Sequence, residues 1–590
     1  MGVIRTGKRG GKAWVLGALL VLATAPEGGA APEPRQAGSP PVTVSEALQD
    51  LLRTLQAEKG LWVACERIHA DSHVIPFYKA RKYRPVWVGE GGLEPLFFEF
   101  LERVASADRH GLRPEEYHFA CLDGAARWFR RLTSLGRAPS PRALAEQDVV
   151  MTDAFLTWGS HLAAGKVDPE RLYPSWFAAR RRADVMEVLE ALAEDRDLDR
   201  AVRRLAPPHP QYERMVREAE RLRAVAEAGG WPRLRVRGLL GRGLAGPAVA
   251  ALRRRLSLSG DLPEGVGAGA DRFDRALEAA VRRFQARHGL AVDGVVGPET
   301  LRELNVPAEE RRRQILLNLE RWRWLPRSLG DRYVAVNTAA FALEAYEGRR
   351  RRLAMRVIVG EKYRRTPVFS DRIQYLEINP YWNVPRSIAV EEILPAVRKD
   401  PAYLSRNHFE LLSGWERSSR VLDPSTIDWN RVDETSFPGR VRQTPGPWNA
   451  LGRIKFMFPN RFHVYLHDTP ARHLFDTPNR ALSHGCIRVE KPWELALFLL
   501  QDDPSWTRQT LEELVEQGER HVVPLRVPTA VHLLYWTAWV DDRGALQFRR
   551  DVYERDEVLW AALSRVPEDE APVQLSAGAA RGLGEGGGEN

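Results

Sequence analysis

The spacing of hydrophobic positions changes character twice along this chain. From Ser45 to about Gly229 it is helical: Leu48, Leu51, Leu52 and Leu55 recur on one stripe, and Val185, Val188, Leu189 and Leu192 repeat it later. Gly229-Gly230-Trp231-Pro232 interrupts the pattern. Val249, Leu252 and Leu256, then Leu277, Val281 and Phe284, predict two more helices; Asp293-Gly294 is a turn, and Gly297-Pro298-Glu299-Thr300 opens a last helix. From Arg332 the period falls to two. Tyr333–Val336, Phe341–Ala345, Met355–Val359 and Ile373–Ile378 read as short strands between Gly, Arg and Pro clusters, the layout of a sheet sandwich. Between Pro385 and Pro447 helix and irregular chain return, a long excursion that is uncommon in a β domain unless functional. Helices near Trp493–Leu500 and Leu511–Glu519 follow, and the aromatic run Leu533–Trp539 fits a strand.

At 590 residues the chain predicts two to four domains of about 100 to 200 residues each. Its start combines Arg5, Lys8, Arg9 and Lys12 with the apolar run Ala13–Ala25 and Gly28-Gly29-Ala30, the plan of a secretory signal. The run is short for a bilayer span of about 20 residues, although an uncleaved segment would remain as an N-terminal anchor and give peripheral membrane association. Residues 31–43 read as a linker, and the Gly-rich residues 576–590 as a disordered tail. The net charge of +9 comes from arginines spread along the chain. Export argues against nucleic acid as the partner; an anionic envelope polymer or membrane surface attracts the same charge. Three cysteines are few for an exported chain, and one must stay unpaired. Cys486 is the natural odd one; Cys65 and Cys121 either bridge or leave Cys65 as a buried thiol in the apolar phrase Leu61–Ala64.

The chemistry concentrates in Phe462–Val489. Strand alternation puts Val464 and Leu466 on one face and His463, Tyr465 and His467 on the other. After a gap in the mid-teens comes Ser483-His484-Gly485-Cys486-Ile487-Arg488. A thiolate is the attacking form of cysteine, and imidazole or guanidinium neighbours stabilise it, so Cys486 is the candidate nucleophile. Gly485 admits close approach of a substrate, and the amides of Gly485 and Cys486 are candidate donors to an oxyanion. Two other readings use the same residues: zinc held by His463, His467, His484 and Cys486, or a buried structural thiol with satisfied core histidines.

His467, the gap, and Ser483-His484-Gly485-Cys486-x-Arg488 resemble the signature of the L,D-transpeptidase (YkuD-type) catalytic domain. Val281-Arg282-Arg283-Phe284-Gln285, Gly289-Leu290 and Val292–Gly297 resemble a peptidoglycan-binding type 1 domain, and Tyr78–Arg81, Pro85-Val86-Trp87 and Gly165–Pro169 resemble the scaffold domain of the larger family members. The resemblance implies a multidomain α+β chain: a signal or anchor (1–30), a helical scaffold (44–229), a small peptidoglycan-binding bundle (236–306), a β-sandwich-like catalytic domain (330–508) with a helical capping insertion (385–447), and a C-terminal helix and strand extension (509–575). It implies a periplasmic or envelope enzyme that joins donor and acceptor peptidoglycan stem peptides in 3-3 crosslinks through a Cys486 thioester, without metal or organic cofactor. Carbapenems would be covalent inhibitors. Water competing for the thioester would give hydrolysis instead; lipoprotein attachment and a non-catalytic wall-binding scaffold are the other readings. His467 holds the position of the family's base. His484, Ser483 and Asp468 would support it, with Asp468 or a backbone carbonyl orienting the imidazole, and Arg488, Tyr465 and Trp382 would contact substrate.

Overall fold

The computed structural model describes residues 43–565 apart from 58–61, 65, 178–183, 264, 268–269 and 417. The signal, the tail and Cys65 lie outside the described residues, and with Cys65 the choice between a bridge to Cys121 and a buried thiol. Among the described residues no helix is long and apolar enough to cross a membrane.

The scaffold is built around α1 (Pro141–Ala164), capped by Ser140, whose Oγ accepts the Ala143 amide at 3.2 Å. This helix is buried along almost its whole length, so its polar side chains need partners. The Asp148 carboxylate accepts the Val86, Trp87 and Val88 amides at 3.0, 2.7 and 3.1 Å, and Asp153 accepts the Ala70 amide at 2.6 Å. Two loops are thereby fastened to the central helix.

Three helices, Pro247–Leu258, Arg275–Arg287 and Pro298–Leu304, form a separate small bundle around Val249, Leu252, Leu256, Leu277, Val281 and Phe284. From it α2 (Ala308–Arg323) runs back between scaffold and sheet. Ile315, Leu319 and Trp322 pack with Tyr212 and Met215, while Leu317 joins the core of the sheet. Its buried cations are paired, Arg321 with Asp556 at 2.7 Å and Arg323 with Glu320 at 2.9 Å.

The sheet has strands β1 (Arg332–Asn337), β2 (Ala342–Glu347), β3 (Arg350–Gly360), β4 (Phe369–Ile378), β5 (Ile454–Met457), β6 (Leu466–His467), β7 (Ala481–Ser483), β8 (Ile487–Val489) and β9 (His521–Leu534). Their order is β7-β3-β8-β6-β5-β4-β9-β1-β2, and pairing of β2 with β3 closes the sheet on itself. The layers expected of a sandwich are therefore opposite walls of one rolled sheet. Val334, Leu343, Val357, Leu376, Phe456, Leu466 and Ile487 fill it.

β9 lies beyond the expected catalytic boundary at 508, yet it pairs with β4 from His521↔Ile378 to Leu533↔Phe369 and with β1 in parallel. Without it the ring is open, so the extension is part of the catalytic sheet. The aromatic run expected as one strand is divided: β9 ends at Leu534, and Ala538–Val540 pairs with Leu546–Phe548 in a hairpin of its own.

The excursion is a subdomain. It holds short helices and also a four-stranded sheet of Val421–Leu422, Phe409–Leu412, Arg440–Gln443 and Trp382–Asn383, around a core of Val384, Leu394, Val397, Leu411 and Val441. Strands of two to four residues carry too little periodicity to be recognised in sequence.

Candidate active site

The register of four strands builds the site. β6 and β8 run parallel with His467 opposite Arg488, and the Ile487 amide donates to the Tyr465 carbonyl at 3.1 Å. On the other side His467 faces Lys455 of β5, and Lys455 faces Glu377 of β4. Opposed residues share a face, so Glu377, Lys455, His467 and Arg488 form a row across the outside of the ring. Tyr465 and Cys486 stand in the next row, one two-residue step back. The alternate residues Leu376, Phe456, Leu466 and Ile487 point into the core. Cys486 and His467 are thus diagonal neighbours on one face.

The turn before Cys486 is held from both sides. Ser483 Oγ donates to the Cys486 carbonyl at 2.6 Å and accepts the Gly485 amide at 3.2 Å. Thr366 Oγ1 donates to the Gly485 carbonyl at 2.8 Å. Gly485 has φ +121°, a backbone conformation that side chains disfavour. Because its amide is already engaged by Ser483, Gly485 is not available as an oxyanion donor, and the Cys486 amide is the donor left from the expected pair. His463 departs from the strand expected of it: φ is +54°, its side chain is exposed, and its carbonyl lies 3.8 Å from Cys486 Sγ.

Cys486 is half-buried, and burial pushes its thiol up from the ordinary range, with Tyr465, Lys455 and Arg488 acting to pull it back. His467 is buried and its pKa falls to about 3, first through burial and then through the Arg488 and Lys455 cations. At neutral pH the pair is a thiol beside a neutral imidazole. His467 Nδ1 lies 2.6 Å from the Asp468 carbonyl oxygen, which can only accept, so Nδ1 carries the proton and Nε2 is the basic nitrogen. The Asp468 carboxylate turns away to the Arg453 amide at 2.9 Å and to Arg472 at 3.1 Å.

Arg488 Nε is buried and makes no hydrogen bond among the described residues. Lys455 Nζ sits 4.1 Å from the centre of the Tyr465 ring and 3.9 Å from Glu377. His484 points to the capping subdomain, its Nε2 2.6 Å from Glu392 Oε1, and Arg364 pairs with the adjacent Glu391. Trp382 belongs to the capping sheet, its ring 6.1 Å from Phe409, and packs on that subdomain's core rather than in the row. Lys455, Glu377, Thr366 and Glu392 were missed by sequence reasoning: none lies in the motif, and only strand pairing or the docked cap brings them to it.

Among the described residues the group close enough to hold a metal is His69, His118 and Asp153 in the scaffold, not the four candidates around Cys486. Asp153 there already accepts two amides and His118 Nε2 at 2.7 Å.

Residues 331–508 match the family model described as the L,D-transpeptidase catalytic domain, 72–218 that of the scaffold domain, and 245–304 that of a "Putative peptidoglycan binding domain". A protein of Haemophilus influenzae named "Putative L,D-transpeptidase" is 37% identical over 243 residues, covering 41% of this chain and 48% of the relative. The chain thus matches about half the length of that curated relative. A solved L,D-transpeptidase of Xylanimonas cellulosilytica (20% identity, 51% of this chain and 98% of that one) has a TM-score of 0.15. One from Stackebrandtia nassauensis (14% identity, 50% and 94%) has 0.18, and at such scores neither carries an argument here. Between residues 331 and 508 the chain therefore carries an L,D-transpeptidase catalytic domain of the YkuD family, preceded by a scaffold domain and a domain of the peptidoglycan-binding family.

Proposed function

We propose that the chain is a peptidoglycan L,D-transpeptidase of the cell envelope that forms 3-3 crosslinks through a Cys486 thioester. The observation that carries this reading is the single outer face shared by Cys486, Tyr465, His467, Lys455 and Arg488. His467 Nε2 takes the thiol proton as sulfur attacks the carbonyl of the third stem residue. The oxyanion is met by the Cys486 amide. Collapse breaks the peptide bond to the terminal D-alanine, whose nitrogen receives the proton from His467 as it leaves. A side-chain amine of a second stem then attacks the thioester, returns its proton through His467, and regenerates the thiol. The Arg488 guanidinium, whose buried Nε has no hydrogen-bond partner among the described residues, suits a stem-peptide carboxylate. The docked cap favours transfer by limiting water at the thioester.

Incubation with purified disaccharide-tetrapeptide monomers tests this: mass spectrometry should find dimers lacking one D-alanine, absent with Cys486→Ala. Tripeptide monomer alone would favour hydrolysis of the same bond.

A further inference from the structure

A cavity of about 720 Å³ opens on the outer face of β1 and β2, and none of its lining residues belongs to the row around Cys486. Its floor is aromatic. Tyr333 and Tyr346 stack at 5.0 Å, Trp322 and Trp536 at 4.5 Å, and His209 lies on Trp322 at 4.7 Å. These rings come from the scaffold, from α2, from the barrel and from the chain after β9, so four separate parts of the fold converge to make one surface.

The charge around that floor is one-sided. The two acids of the lining, Glu344 and Asp542, are both held by Arg351, and Tyr346 also donates to Glu344 at 2.8 Å. Arg214, Arg327, Arg349 and Arg350 line the same cavity without a carboxylate within ion-pair distance among the described residues. Their field is felt at His209, whose pKa falls to about 4 through burial first and then through Arg349 and Arg214. Like charges gathered without counter-charge repel one another, a cost that a bound anion offsets. Volume, ring floor and position between domains are those of a ligand site.

We propose that this cavity is a second binding site, separate from the catalytic cleft, for a carboxylate-bearing glycopeptide of the wall. The arginines take its carboxylates, and the ring edges take its sugar and apolar atoms. The choice of wall glycopeptide rests on the function proposed above. The site holds a strand that is not being acylated and so keeps the enzyme on its polymer between turnovers.

Hydrogen–deuterium exchange on the full chain carrying Cys486→Ala, with added disaccharide-tetrapeptide, reads this directly. Segments 342–351 and 534–542 should gain protection, with half-saturation about tenfold weaker when Arg349→Glu and Arg350→Glu are added. Circular dichroism of that variant, and carbapenem acylation of Cys486 in a second chain that carries the two charge reversals but keeps the cysteine, report an intact fold and an intact catalytic site independently. Failure of acylation in the unmodified chain counts against the proposed function, not against this cavity. No protection of these segments, protection unchanged by charge reversal in a folded protein, or equal protection by phosphatidylglycerol vesicles would overturn the second site.

Discussion

The imidazole of His467 is held by the carbonyl of the next residue, Asp468, at 2.6 Å, while the Asp468 carboxylate serves the Arg453 amide and Arg472. Orientation of the proposed base is therefore a property of the backbone, not of an acidic third residue. Asp468→Asn should retain turnover within about tenfold, whereas His467→Gln should lose at least about 10²-fold in kcat. A drop of about 10⁴-fold for Asp468→Asn, the scale seen when a carboxylate orients the histidine, would contradict this.

The same burial sets a pH dependence. With its pKa depressed to about 3, His467 should stay neutral between pH 7 and 5, and kcat/KM is expected to show no acid limb from this residue in that range. Arg488 is the largest cationic contributor to that depression. Arg488→Gln should therefore raise the His467 pKa and move the acid limb upward, together with a higher KM for carboxylate-bearing donors. An acid limb near pH 6.5 in the unmodified enzyme, unmoved in the variant, would count against the assignment.

In the scaffold, His118 donates to Asp153 at 2.7 Å and lies 3.1 Å from Glu66, and its pKa rises to about 9 despite burial, through Asp153 and Glu66. A pKa raised above the unfolded value near 6.5 gives stability that is complete below that pH and lost as pH climbs through about 9. The predicted contribution is ~3 kcal/mol at pH 6. Urea titrations at pH 6 and pH 9.5 should show that loss in the wild-type scaffold; His118→Gln should be weaker at pH 6 and flat across the window.

Much of the site was readable in advance because one short motif delivers it. The shared side of Tyr465, just before β6, and His467 follows from strand alternation, while Cys486 and Arg488 were picked out by the motif that holds them. The rest depends on pairing between distant segments. Lys455 sits in an unremarkable Ile-Lys-Phe-Met phrase, and only its register opposite His467 makes it part of the row. β9 was read only at its end, where Leu533-Leu534 fall in the expected aromatic strand, and its pairing with β4 and β1 does not show in alternation. His463 was misplaced because a left-handed turn, stabilised by Asn460 Oδ1 accepting the Phe462 and Val464 amides at 3.0 and 3.3 Å, ends the alternation before it. The cap was legible as an excursion, while its short strands were not.

The cap meets the catalytic turn through Glu392 and His484, at 2.6 Å. If that contact keeps the cap over the thioester, Glu392→Ala should leave acylation intact but raise released tripeptide relative to dimer, by about two- to fivefold for a single partly exposed contact. Because most of the cap's core lies within residues 385–447, replacing them by a Gly/Ser loop strips only Trp382–Asn383 and Val384 of their cap partners and should leave the ring folded by circular dichroism. A folded deletion with an unchanged dimer-to-tripeptide ratio would sink the lid role.

Intact-protein mass spectrometry after rapid acid quench, on enzyme mixed with disaccharide-tetrapeptide donor and no acceptor in excess, tests the central claim most directly. The account predicts a mass gain equal to the donor less D-alanine, mapped to Cys486, reversed by hydroxylamine and missing in Cys486→Ala. An adduct on another residue, or crosslinked product formed by the alanine variant, would contradict it.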